Sequence, residues 1–222
     1  MKLKPLKNII KLSLISILAV LFILAVSSCG ILGVVTEDRD VSDFSKIVIK
    51  GSGNLNIEQG DEESLTIKTT KNIIPYITTT VSNETLEIGI KPRATIIPIG
   101  VVNYYLKVKD INAITVEGSA NVNSSQLYTD NLEINIYGSG DIKLAGRVEK
   151  QVIQISGSGN YSAKDLESRE CVIEISGSGD SVINVNDSLD ITISGSGDVS
   201  YIGNPSINQA ISGSGDVRNI SG

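Results

Sequence analysis

Ile173-Glu174-Ile175-Ser176-Gly177-Ser178-Gly179-Asp180 joins an alternating β-branched run to a glycine-rich corner. The corner recurs as Gly-Ser-Gly-Asp at Gly138, Gly195 and Gly213, as Gly-Ser-Gly-Asn at Gly51 and Gly157, and as Gly-Ser-Ala-Asn at Gly118. From Gly118 onward the copies are 20, 19, 20, 18 and 18 residues apart. A short, nearly constant period with a fixed corner marks a solenoid, in which each repeat packs only on its neighbours. The runs before the corners, such as Ile134-Asn135-Ile136, Ile153-Gln154-Ile155 and Ile191-Thr192-Ile193, alternate with period two. They predict strands with one buried face.

Length selects the geometry. About 19 residues at roughly 3.3 Å each give a closed path of about 60 Å, enough for a three-sided coil of short strands. The fold class expected is all-β, a parallel β-helix (β-solenoid) of about 18–20 residues per coil. Positions -2 and -4 from each first glycine predict inward columns Ile136/Ile155/Ile175/Ile193/Ile211 and Ile134/Ile153/Ile173/Ile191, the second broken by Gln209. Position -6 places Cys171 between Gln151 and Leu189, as a small core residue.

If alternation runs through the corner, both glycines take the inward parity and the Asx residues point out. Asn121, Asp141, Asn160, Asp180, Asp198 and Asp216 would then form one outer ladder. Two readings of it stand. Asp180, Asp198 and Asp216 could form a calcium-type cation ladder, or the Asx side chains could hydrogen-bond nearby backbone in a row of exposed turns. The second is the expectation, so no metal site is assigned. Tyr137, Tyr161 and Tyr201 are either aromatic platforms for sugars or, for Tyr161 and Tyr201 on the inward parity, packing residues.

Upstream, residues 43–117 lack the short period. Thr78–Val81 and Thr85–Ile90 read as strands around the turn Ser82-Asn83-Glu84, and Pro92 and Pro98 bracket a loop or edge. The remaining pieces are expected to form wider coils continuing the same stack. The domain expected therefore spans 43–222, with less regular coils over 43–117 and regular ones over 118–222.

The N-terminus supplies an address. Four lysines precede the apolar run Leu12–Val26, which ends in Val26-Ser27-Ser28-Cys29. The run is shorter than the roughly 20 residues a spanning helix needs, and small residues before a cysteine resemble a lipobox. Residues 1–28 are expected to be a lipoprotein signal peptide. Cys29 is the expected lipidation site, carrying palmitate-type acyl chains, and 29–42 the lipid-anchored tether, with Glu37-Asp38-Arg39-Asp40 solvated. The chain is placed in a bacterial cell envelope, at the outer membrane, on either face.

Composition narrows function. Among 222 residues there is no histidine and no tryptophan, and the two cysteines are far apart. That excludes a Ser-His-Asp triad, a Cys-His dyad and a His-ligated metal. The net charge is -6, and removing the lysine-bearing first 28 residues leaves ten excess negative charges. No basic stripe for nucleic acid is present.

Asp43-Phe44-Ser45-Lys46-Ile47 leading to Gly51-Ser52-Gly53, the strand ending Thr85-Leu86-Glu87-Ile88, and the later Gly-Ser-Gly-Asp ladder together resemble the GIN domain. That domain is described as the head of autotransporter adhesins and is common in Bacteroidetes lipoproteins. The resemblance spans roughly residues 40–220, implies a right-handed parallel β-helix, and carries no catalytic residues. The function expected is a non-catalytic, lipid-anchored, adhesin-like module presenting a polar face to glycans or envelope proteins, with no cofactor. A structural or regulatory envelope lipoprotein is one alternative. A small polysaccharide-active enzyme using the stacked Asp180, Asp198 and Asp216 is another, since carboxylates alone can hydrolyse glycosides.

Overall fold

The computed structural model describes residues 33–91 and 100–222. The signal segment, Cys29 and the loop between Pro92 and Pro98 lie outside the described residues. Strands dominate, and they wind into a β-solenoid of about five turns.

The regular part is built from Ala113–Gly138 (β7), Ile142–Gly157 (β8), Tyr161–Gly177 (β9) and Ser181–Gly195 (β10), closed by the short Val199–Ile202 (β11), Ser206–Gly213 (β12) and Val217–Asn219 (β13). Successive coils pair in parallel, Ile134 with Ile153, Ile153 with Ile173 and Ile173 with Ile191. The glycine corners form one seam, with Gly138 beside Gly157, Gly157 beside Gly177, and Gly195 beside Gly213. Both expected isoleucine columns are buried from Ile134 through Ile193.

Close approach makes the corner a glycine corner. Gly177 has φ +156, and a Cβ on it would overlap the carbonyl oxygen of Gly157. Two residues on, a Cβ on Gly179 would overlap the carbonyl of Gly159. Alternation does run through the corner, because Gly179 is buried and Tyr161 and Ala163 after the preceding corner point inward. The first glycine of the motif is half-buried at Gly118, Gly138, Gly157, Gly177 and Gly195 and exposed at Gly51 and Gly213.

A second corner lies on the far side of each coil. Strand registers shift there between Ser124 and Leu127, between Lys143 and Ala145, and between Val185 and Ser188. Buried positions change parity across it, from Leu144 and Val148 to Gln151 and Ile153, and from Leu166 and Ser168 to Cys171 and Ile173. Such irregularities re-aim the side chains that follow.

The front half departs from a plain stack of coils. Lys46–Gln59 (β2) continues the parallel stack, with Gly51 beside Gly118 and Asn54 beside Asn121. Around it, Val34–Arg39 (β1) runs antiparallel to Ser64–Thr70 (β3), and β3 antiparallel to Asn103–Val108 (β6). Ile77–Ser82 (β4) and Thr85–Ile90 (β5) form the expected hairpin, with Asn83 and Glu84 both at positive φ (49° and 59°). Positive φ at both central positions suits a two-residue hairpin turn. The wider-coil expectation is thus corrected for β3 and β4, which pair antiparallel, β4 with β5 across the two-residue turn and β3 with β6. The expected tether is corrected over Val34–Arg39. That stretch pairs along the free edge of β3, and Thr66 donates a hydrogen bond to Asp38 at 2.6 Å.

At the far end the last coil is open. Ile211 takes its place in the column beside Ile193, yet it is 40% exposed while Ile193 is buried. The parity expected for Ile211 is right and its burial is not, because β10 covers only one side of it.

Candidate functional site

The Asx ladder exists, and its hydrogen bonds run from coil to coil. Asp141, Asn160, Asp180, Asp198 and Asp216 each donate a backbone N–H to the side-chain oxygen of the Asx one coil earlier, at 2.9–3.2 Å. Between Asp180, Asp198 and Asp216 both spacings are 2.9 Å. One carboxylate oxygen of Asp180 and of Asp198 is thus committed to backbone donors. Arg218 also donates to the second oxygen of Asp198 at 3.4 Å. Among the described residues, no group of three or more acids and cysteines is placed to hold a metal ion. The ladder staples coil to coil through these backbone-to-carboxylate bonds.

The tyrosines separate. Tyr161 is buried, donating its hydroxyl to Oε1 of Gln151 at 2.6 Å. Burial pushes its pKa well above the ordinary value. Tyr201 packs partly buried against the core. Tyr137 is exposed and donates to Oε1 of Gln154 at 2.9 Å. Cys171 is buried in its column, where desolvation pushes the thiol pKa far up, away from nucleophilic use.

A different site emerges at the second corner. Two shallow hollows of about 420 and 170 Å3 lie on successive coils and share Arg147, Val148 and Glu149 as a common border. The larger is bordered by Asp110, Tyr128 and Asp130, the smaller by Glu167, Arg169 and Asn186. Tyr128 is 55% exposed. Its backbone is held from the neighbouring coil by Gln59, whose amide donates to the Tyr128 carbonyl at 3.0 Å and accepts from its N–H at 2.7 Å. The charged walls are cross-braced. Arg147 pairs with Glu167 at 3.5 Å, and Arg169 with Glu149 at 3.5 Å and Asp187 at 2.8 Å. These are exposed pairs that orient side chains more than they stabilise the fold.

Sequence reasoning missed Tyr128. Alternation counted back from Gly138 through Leu132 assigns it inward, and the parity change at the second corner turns it out. The signal available was Leu127, whose burial in β7 requires that change.

A family model described as "Putative auto-transporter adhesin, head GIN domain" matches residues 43–205. The chain belongs to this GIN domain family. Solved structures share its architecture. A "putative adhesin" from Bacteroides fragilis is 24% identical, with a TM-score of 0.74, and the match covers 85% of this chain and 97% of that one. A "putative adhesin" from Parabacteroides distasonis is 21% identical with a TM-score of 0.55, covering 85% and 98%. A "Putative lipid binding protein" from the same species is 22% identical with a TM-score of 0.52, covering 84% and 96%. At these identities the likeness is one of fold. No curated protein matches the chain. Among the described residues of this GIN domain, no helix is long and apolar enough to cross a membrane.

Proposed function

We propose that this GIN domain is a non-catalytic glycan-binding module, held at the cell envelope by acyl chains on Cys29 and acting at the outer membrane. One observation carries the binding site. Tyr128 stands exposed on the rim of a groove bordered also by the hydrogen-bonding groups of Asp110, Asp130, Arg147 and Glu149. A tyrosine ring offers an apolar face with a polar tip, which suits a pyranose whose C–H face stacks while its hydroxyls reach polar neighbours. The groove is open and shallow, a shape that fits an exposed sugar chain better than a small buried molecule. The family description as an adhesin head is in keeping with recognition rather than turnover.

The test is a glycan array probed with the full-length chain. Saturable binding to a polysaccharide, lost on Tyr128→Ala and kept on Tyr137→Ala, is the expected result. A blank array, or binding indifferent to Tyr128→Ala, overturns the glycan reading; an envelope protein co-purifying through the same groove would replace it. For the anchor, Cys29→Ala is expected to move the chain from the membrane fraction to the soluble one. Unchanged membrane association removes the lipid.

A further inference from the structure

The open end of the solenoid presents an unpaired strand edge. Among the described residues β12 is bonded on one side only, to β10, and all eight of its residues are exposed. Ile207 and Ile211 stand 42% and 40% exposed, although their neighbours in register, Leu189 and Ile193, are fully buried. The backbone groups along the other side of β12 form an unused ladder edge. Proteins guard such edges with charge, proline or bulges. The edge strand β1 follows that rule, with Glu37, Asp38 and Arg39 among its six residues. β12 carries no charged residue.

Its sequence is also close to a palindrome. Ser206-Ile207-Asn208-Gln209-Ala210-Ile211-Ser212 reads nearly the same in both directions about Gln209. Antiparallel pairing of two copies centred there sets Ser206 opposite the partner's Ser212 and Ile207 opposite the partner's Ile211. Asn208 meets the partner's Ala210. This register preserves parity, so the isoleucines of both copies face the core side. A slip by one residue would set isoleucine against serine and lose the match. Gln209 meets its own copy on the axis. A side-chain amide carries both donor and acceptor and can bond its symmetry mate. That accounts for one glutamine at the end of a column otherwise filled by Ile134, Ile153, Ile173 and Ile191. With no charge on the strand, no like charges are opposed.

We propose that the chain forms a two-fold symmetric dimer by antiparallel pairing of β12 with β12 of a second copy, centred on Gln209. The interface is isologous and closes on itself, so it yields dimers and not filaments. The column ending in Ile211 then meets the partner's column ending in Ile207, and the exposed ends of both isoleucines are covered. The dimer does not depend on what fills the groove at the second corner.

The test is register-specific disulfide trapping in the full-length chain. Directly opposed residues of an antiparallel pair have Cα atoms about 4.5–5.5 Å apart, within the range a disulfide bridges. Gln209→Cys is therefore expected to cross-link rapidly under mild oxidation. Ser206→Cys is offset from its own copy by six residues, about 20 Å, and is expected not to cross-link above the unsubstituted chain, which carries Cys29 and Cys171. Sedimentation is expected to give twice the mass of one chain for the parent and one chain for Gln209→Lys, with both keeping the same β-sheet circular dichroism spectrum. Four results overturn the proposal: a monomeric parent, a Gln209→Lys variant that keeps its dimer, equal trapping at positions 206 and 209, or trapping to a different polypeptide.

Discussion

Truncating Ile175 and Ile211 to alanine removes the same atoms from the same column at two heights, and the costs differ. Ile175 is fully buried, in register with Ile155 below and on the path to Ile193 above. Its truncation deletes about three methylene equivalents and leaves an enclosed gap, for a loss of about 3.5 kcal/mol. Ile211 is 40% exposed and open on one side. At about 0.8 kcal/mol per buried methylene, scaled to the buried share and with no closed cavity, its truncation costs about 1.5 kcal/mol. For a chain of this length an m-value of about 2.5 kcal/mol/M in urea is reasonable. The midpoint then falls by about 1.4 M for Ile175→Ala and by about 0.6 M for Ile211→Ala. Far-UV circular dichroism is the readout, since the chain has no tryptophan. Dilute chain is used, so that self-association does not cover Ile211. Equal shifts would refute the reasoning, because they would mean the two positions are equally enclosed.

Other parts of the fold can be tested in the same way. Gly177→Ala combines positive φ with backbone overlap on Gly157 and is expected to abolish cooperative melting, whereas Gly60→Ala, which meets nothing within 4 Å, is expected to stay within about 0.5 kcal/mol of the parent. A wild-type melt for Gly177→Ala would contradict the seam. Alkaline pH is expected to destabilise the protein. Cys171 and Tyr161 are raised by burial, and Tyr104 is raised to about 12. The unfolded chain therefore releases these protons first, from about pH 9 for the thiol and about pH 10 for the tyrosines, and stability falls as pH rises through that range. A urea midpoint flat from pH 8 to 11 would count against the buried assignments. Asp180→Ala removes the acceptor for the Asp198 N–H and is expected to cost about 1 kcal/mol, while Asp180→Asn keeps the acceptor and is expected to be neutral or better. Added calcium is expected to leave the melting temperature unchanged, and a rise of several degrees would restore the cation reading of the ladder.

Much of the architecture was legible because its signals are local and repeated. The inward set Ile134 to Ile193 follows from period-two alternation, and the vertical seam from the recurring glycine corner. Asn83 and Glu84 announced a turn, and a hairpin formed there. The errors share one cause, since each needed information about a distant segment. Glu37-Asp38-Arg39 looks like solvated tether until β3 is seen to offer it an edge. Tyr128 looks inward until the second corner changes the parity between Leu127 and Leu132. The groove shared by Arg147 and Glu149 draws on residues from neighbouring coils that no spacing rule groups together.

Period, alternation and corner chemistry are properties of a few consecutive residues, and the missing histidine is a property of the composition. The primary structure alone therefore settles that this chain stacks coils around isoleucine and lacks the usual nucleophile-activating base. Whether a side chain is reachable depends instead on what lies above and below it. Only the stacked coils decide that Ile193 is sealed while Ile211 is open, that Tyr161 is core while Tyr128 faces solvent, and that the acidic ladder is occupied by its own backbone.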